Sequence, residues 1–373
     1  MNGRCLWHVS DVVADARGVT RRPQRRHKAM RVGTFVLAAQ FPGQGQGEAL
    51  HRAVRTAEVA EEAGLDSVWL AEHHFVPYGV CPSAVTLAAL LLGRTRRLRV
   101  GTAVSVLPTV HPVALGEQAA LLHLTSGGRF TLGVGRGGPW VDLEVFGSGL
   151  GAYENGFPES LDLLLRWLTE PRVGAGGERF AFREVPVVPR PDELIGGAAA
   201  PEVVVACTSP RSVRLAAERG LPMLLGMHCG DEDKAEMVAA WKRCAREAGR
   251  DPDEIARIGA GHVSAGVAQL ADRGTDAAEA LVKAMPGWLK QGLDAHVTVD
   301  GRHRSMRDPV AYTELLCGLH PVGTPRRAAD RLAATAERTG ITRFALLAEG
   351  TGDLAATEEN VRRLGAEVLP LLV

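Results

Sequence analysis

No two of the six cysteines (Cys5, Cys81, Cys207, Cys229, Cys244, Cys317) are spaced as C-x-x-C, which argues against a zinc knuckle and fits reduced thiols. No apolar run reaches ~18 residues, so the sequence contains no candidate transmembrane helix. Net charge is missing as well: 43 basic and 43 acidic residues cancel, and a neutral chain has no overall field to draw it to nucleic acid or an anionic membrane. A P-loop, a Ser-His-Asp order and paired-carboxylate spacing are absent too. What is present is material for a core. Of the 373 residues, 46% are hydrophobic and 23% charged, which excludes global disorder and suits one large α/β domain or two smaller ones. Together these features predict a cytoplasmic protein with neither a membrane nor a nucleic-acid partner.

The first 29 residues differ from the rest and end in the basic run Arg21 to Lys28. A twin-arginine export signal is one reading of that run. The apolar stretch after it, Val32 to Ala39, is only about eight residues long, lacks an A-x-A cleavage site and serves as a first strand. Residues 1–29 are therefore expected to be a disordered basic tail upstream of an alternative start at Met30.

From Met30 onward, short β-rich apolar runs alternate with helical periodicity. Strands are predicted at Arg31–Gln40, Ser67–Ala71, Arg99–Val106, Phe130–Gly135, Val203–Cys207, Pro222–Met227, Ile258–Val267 and Arg343–Leu347. Helices follow at Glu48–Ala63, Val113–Leu124, Arg211–Arg219 and Asp276–Lys290 among others, and Pro325–Arg338 precedes the last strand. Eight βα units over residues 30–373 predict a single closed (β/α)8 TIM barrel. Arg172–Ala200 and Gly292–His320 fit no element and are expected insertions in the late βα loops, the second a mobile lid over the mouth.

The segment Ser67 to Phe75 (SVWLAEHHF) is the most informative. Its apolar run reads as a buried strand whose C-terminal end carries Glu72, His73 and His74, and that end is where barrel loops bind ligands. Adjacent strand residues point to opposite faces, so the two imidazoles do not converge on a metal. One histidine facing the mouth suits a general base, and a structural histidine held by Glu72 is the alternative.

Three further constellations stand at strand ends. Pro201 to Gly226 reads as a strand, a hydroxyl-rich turn and a helix; Thr208, Ser209 and Ser212 there suit either a monophosphate cradle or ordinary N-capping. Phe130 to Trp140 contains Gly133, Gly135 and Gly138 in G-x-G-x-x-G spacing, but Pro139 comes next and no acid-ended strand lies ~20 residues on, so the dinucleotide reading is rejected. Arg136 in that loop is a permanent cation for a phosphate or ring carbonyl, or else pairs with Asp142 or Glu144. Gly101 to Ala103, small residues on the third strand, leave room for a flat ring or for tight packing.

These residues carry a resemblance. VWLAEHHF (Val68–Phe75), GTAVSVLPTVHPV (Gly101–Val113), GRF-TLGVGRG (Gly128–Gly137), VDLEVFG (Val141–Gly147), AAERGLPM (Ala216–Met223) and HPVGTP (His320–Pro325) are similar, in order, to the bacterial luciferase family of flavin-dependent monooxygenases, most closely its α subunit. The resemblance implies that His73 is the catalytic base. It also implies a non-proline cis peptide at Ala103 and Val104 under the flavin ring, flavin-phosphate contacts from Arg136, Thr208, Ser209 and Ser212, and an acid near the site at Glu349. Glu72, His74 and Asp142 are expected supports.

The same resemblance implies a monooxygenase that takes FMNH2 from a separate flavin reductase and, with O2, oxygenates a small organic substrate. A homodimer through helices near Ser83–Leu92 and Val113–Leu124 is also implied. Gly135 stands where the luciferase α subunit has a reactive cysteine, and the segment matching its long loop is shorter. A non-luminous reaction (hydroxylation, epoxidation or Baeyer-Villiger oxidation) is therefore expected. The alternatives are a deazaflavin-dependent oxidoreductase of the same barrel, a flavin-binding subunit without turnover, and a metal-dependent barrel hydrolase.

Overall fold

Eight short strands, each nearly or wholly buried, pair only in parallel. They are β1 (Arg31–Val36), β2 (Ser67–Leu70), β3 (Arg99–Thr102), β4 (Phe130–Gly135), β5 (Glu202–Cys207), β6 (Met223–Leu225), β7 (Val263–Val267) and β8 (Arg343–Leu347). The ladder runs β1 to β2 to β3, then through Val100↔Phe130 to β4, and on through β5, β6 and β7 to β8. Arg31↔Arg343 returns it to β1 and closes the barrel. The computed structural model describes residues 29–137, 140–196, 200–295 and 308–372. Residues 1–28 of the expected tail lie outside them, as does Gly138.

A parallel strand needs a crossover to return, and helices of 11 to 17 residues supply it at Gln46–Glu62, Ala84–Arg94, Pro112–Thr125, Phe157–Thr169, Asp231–Glu247 and Pro325–Thr339. Two of these, and the shorter helices Pro210–Glu218 and Pro252–Gly259, start where a side-chain oxygen accepts the orphan N–H of the first turn, at Ser83, Thr324, Ser209 and Asp251, with proline at the first helical position in three of these four. Inside the barrel, Trp69, Val204, Leu224, Val263 and Ala345 form one packed layer. It leaves no room at Gly101, where an added Cβ would lie 2.6 Å from the Trp69 ring. The small residue on β3 therefore serves packing, and room for a ligand begins only beyond it.

The expected elements differ from the observed ones in instructive places. Ile258–Val267 is not one strand: helix Pro252–Gly259 takes its first residues, capped by Asp251, and β7 begins at Val263. Arg99–Val106 breaks after Thr102, whose hydroxyl donates to the Gly133 carbonyl and accepts from the Gly133 N–H in place of a ladder step. Pairing resumes at Ser105–Val106. Arg172–Ala200 contains an antiparallel hairpin, Arg172–Gly176 with Ala181–Pro186. It comes after helix Phe157–Thr169 and so belongs to an αβ connection, not to a βα loop. Of the expected lid, residues 296–307 lie outside the described residues. Of the remainder, residues 292–295 end the long helix Gly274–Ala295 that crosses the mouth from β7, and Pro309–Leu319 is a helix packed on it.

Candidate active site

The chain leaves β2 through Ala71 into Glu72, His73 and His74, and each of the three is held differently. Glu72 spans the gap to its neighbours. Its Oε1 accepts the Val106 N–H at 2.9 Å and its Oε2 the Ala84 N–H at 3.1 Å, tying the continuation of β3 and the N-terminus of helix Ala84–Arg94 to one carboxylate. A negative group there also meets the positive end of the helix dipole. His74 is 8% exposed, with Nε2 3.6 Å from Glu72 Oε1 and its ring edge-on to Phe146 at 4.8 Å. His73 turns elsewhere: its ring meets Tyr78 edge-on at 5.1 Å, and Tyr78 is stacked flat on Trp288 at 4.7 Å. The Trp288 indole N–H donates to the Tyr78 carbonyl at 2.8 Å. Gly79 is required beside this histidine, because a Cβ there would sit 2.7 Å from His73 Nδ1.

Asp142, from the helix after β4, completes the cluster. It is 3% exposed, and its carboxyl is pushed up to about 6 by burial, with the Glu72 charge adding and His74 opposing. Among the described residues Asp142 Oδ1 and His74 Nε2 have no hydrogen-bond partner, so two buried polar atoms in this cluster call for water or another polar group to satisfy them. The folded carboxyl binds protons that the unfolded one has released, so stability falls as pH rises from about 4 through 6. Ionisation costs the folded state on the order of 3 kcal/mol. Asp142→Asn is therefore expected to raise stability by about 1–3 kcal/mol at pH 8 and by about half as much at pH 5, read from urea unfolding. An equal effect at both pH values would show that this carboxyl does not titrate there.

A second group gathers one strand further round. The Ala103–Val104 peptide is cis, and Val104 fills the space that a side chain at Gly135 would need. A cavity of about 260 Å³ opens over it, lined by Val104, Arg136, Glu154, Thr208, Ser209 and Ser212 among others. It thus unites β3, β4 and β5 and five of the six expected flavin-contact residues; Ala103 packs instead against the barrel's inner layer. Arg136 pairs with neither Asp142 nor Glu144. Its guanidinium lies 4.2 Å over the Tyr153 ring, which holds the cation in place while leaving its donors available. The hydroxyls also cap their helix: Ser209 Oγ accepts the Ser212 N–H, and Ser212 Oγ accepts the N–H groups of Thr208 and Ser209. The capping and cradle readings therefore coexist, with the capping bonds consuming backbone donors.

Glu349 does not join either group. It is 1% exposed and engaged by Arg52, itself 2% exposed, at 3.2 Å and by the Leu37 N–H at 2.7 Å. A larger cavity, about 650 Å³, lies at the opposite end of the barrel between Arg31, Glu202 and Arg343. There Arg343 binds Glu202 through both nitrogens. No strand end of the C-terminal face contributes to it, and the barrel places chemistry at that face. No group of three or more His, Cys, Asp or Glu side chains placed to hold a metal ion occurs among the described residues, and none of their helices is long and apolar enough to cross a membrane.

Sequence reasoning missed Tyr78, Trp288, Tyr153, Glu154 and Arg211. Trp288 comes from a helix some 210 residues away, and no local pattern announces that contact. Arg211 had a readable signal, a cation in the first turn of a helix where the dipole disfavours it.

Comparison with known proteins places the chain in a family. Residues 30–343 match the family described as luciferase-like monooxygenase. Two alkanal monooxygenase alpha chains of Photorhabdus luminescens are 29% and 30% identical over 363 and 360 residues, covering 92% of this chain and 97% and 98% of theirs. Among solved structures, monooxygenase RslO1 from Streptomyces bottropensis superposes with a TM-score of 0.74 at 22% identity over 91% of this chain and 99% of its own. The FMN complex of the oxygenating constituent of 3,6-diketocamphane monooxygenase from Pseudomonas putida gives 0.71 at 20%, covering 92% and 99%. An F420-dependent secondary alcohol dehydrogenase gives 0.70 at 17%, covering 93% and 100%. With most of its barrel matched by the family model and full-length relatives at about 30% identity, the chain belongs to the luciferase-like monooxygenase family.

Proposed function

We propose that this protein is a two-component, FMN-dependent monooxygenase that receives reduced FMN from a separate flavin reductase and oxygenates a small organic substrate without emitting light. The observation that carries the reading is the cavity that brings Val104, Arg136, Thr208, Ser209 and Ser212 together beside the cis peptide. Arg136 and the hydroxyls fit a phosphate, and Val104 with Ala206 offers an apolar floor to a ring. Reduced FMN supplies the two electrons with which one oxygen atom of O2 enters the substrate and the other leaves as water. The chain's own part is to bind, orient and shield. His73 takes or returns a proton at its imidazole, the Tyr78–Trp288 stack holds its ring and excludes water, and Glu72 fixes the mouth around it.

Mixing anaerobically reduced FMN and protein with oxygenated buffer tests the reading. Bound flavin is expected to reoxidise at least about tenfold more slowly than free FMNH2, because a site that excludes water protects reactive species. Reoxidation at the free rate, together with turnover of reduced deazaflavin F420, would instead establish the hydride-transfer alternative, which the F420-dependent structural neighbours bring into view. Two copies of the chain are proposed to pair through helices Ala84–Arg94 and Pro112–Thr125, on which Leu90 and Leu121 are exposed. A light-scattering mass near that of one chain would contradict this.

A further inference from the structure

We propose that Arg211 and Glu154 form an opposed pair of charges that sets how tightly the cradle holds a phosphate monoester and how fast it lets one go; the inference rests on the flavin reading above. Both residues line the same cavity as Arg136, Thr208, Ser209 and Ser212, and among the described residues neither has an ion-pair partner.

The helix end alone is a poor anion holder here. Pro210 has no N–H, the Thr208 and Ser209 N–H groups bind Ser212 Oγ, and the Ser212 N–H binds Ser209 Oγ. The donors that normally make a helix N-terminus attractive to phosphate are thus largely used by the cap itself. Side-chain cations have to replace them. Arg136 is one, fixed by Tyr153. Arg211 is the second, in the lining of the same cavity and in the first turn of helix Pro210–Glu218, which has no acidic residue in that turn. A cation there works against the dipole and is unrewarded until an anion arrives. Two arginines lining one cavity suit the two charges and three terminal oxygens of a monoester.

Glu154 is the counterweight. It lies in the turn Ala152–Gly156, next to the Tyr153 that carries Arg136. A carboxylate on the wall of an anion cradle repels the bound ligand and weakens its hold, and most such affinity changes appear in the dissociation rate. For a protein that takes its flavin from a partner and returns it oxidised, release matters as much as capture.

The test is titration of the purified full-length protein with oxidised FMN and with riboflavin, followed by flavin fluorescence, plus stopped-flow displacement of bound FMN. Both side chains are exposed, so substitution removes no core packing, and circular dichroism verifies the fold. Arg211→Gln is expected to weaken FMN about tenfold and leave riboflavin unchanged, the size of one charge-assisted contact. Glu154→Gln is expected to tighten FMN about threefold and slow its dissociation correspondingly, with an effect that shrinks at high salt. Wild-type preference for FMN over riboflavin, with both variants at wild-type affinity, would overturn the charge pair alone. Equal wild-type affinity for FMN and riboflavin would instead overturn the phosphate cradle on which it stands.

Discussion

His73→Ala is expected to lower the rate of substrate oxygenation by about 10²–10⁴-fold, the range in which a positioned acid–base group acts. FMN affinity should stay within about threefold of wild type, because the residues of the proposed phosphate cradle follow β4 and β5 and His73 is not among those lining that cavity. The expectation rests on how the ring is held. His73 emerges from the end of β2 with its backbone N–H donated to the Cys81 carbonyl at 3.0 Å and its ring edge against Tyr78. Tyr78 in turn is clamped between that ring and Trp288. Ring contacts thus fix the His73 imidazole at the mouth, whereas His74 faces the Glu72 carboxylate. His74→Ala should accordingly act through the cluster of Glu72 and Asp142, with a smaller loss and a visible change in stability. The decisive measurement pairs turnover with thermal unfolding and with added imidazole. Loss of turnover at unchanged melting temperature, partly restored by imidazole, marks proton transfer. Unchanged turnover in folded His73→Ala would end that role, and a parallel fall in both quantities would make His73 a structural residue.

The barrel was legible because its grammar is local. Eight β-rich runs separated by helical periodicity specify a parallel sheet, and parallel strands buried on both sides leave function to their C-terminal ends. Boundaries were less legible where a side chain overrode the period. Asp251 and Pro252 start a helix just ahead of β7, and Thr102 replaces a ladder step with its own hydroxyl. The cradle residues could be singled out because they stand at strand ends and at positions that the family resemblance covers, although hydroxyls in such a turn are ordinary caps as well. What could not be read was their environment. Whether Arg136 meets Asp142 or Tyr153 depends on the turn Ala152–Gly156, and what stands against Tyr78 depends on a helix that begins at Gly274. Such contacts are set by tertiary packing, to which periodicity is blind. Glu349 shows the same limit from the other side. A strand-end acid after β8 looks available in sequence, and its occupation becomes visible only when Arg52 arrives from the first helix.

Glu349→Ala is expected to destabilise the fold by about 3–5 kcal/mol, the cost of leaving a buried charge without its partner. Arg52 is the charge in question. Its guanidinium donates to Gly352 O at 2.6 Å, to Gln44 Oε1 at 3.0 Å and to Ala39 O, besides Glu349. Glu349 meanwhile accepts the Leu37 N–H. The pair therefore stitches the loop after β1 to the loop after β8, the two strands whose pairing closes the barrel. Burial pushes the Glu349 carboxyl up, and the Arg52 charge pulls it back, so the carboxylate's charge and the guanidinium's are each sustained by the other. Removing both partners with an apolar pair, Arg52→Met with Glu349→Leu, should cost less than Glu349→Ala alone, because the uncompensated charge is gone. Denaturant unfolding of the single and double variants measures that difference. Activity separates this role from chemistry: Glu349→Gln keeps the shape and some of the hydrogen bonds, so its folded fraction should retain near-normal turnover while its unfolding midpoint falls. A variant with an unchanged midpoint and lost turnover would move Glu349 from the barrel's seam into its reaction.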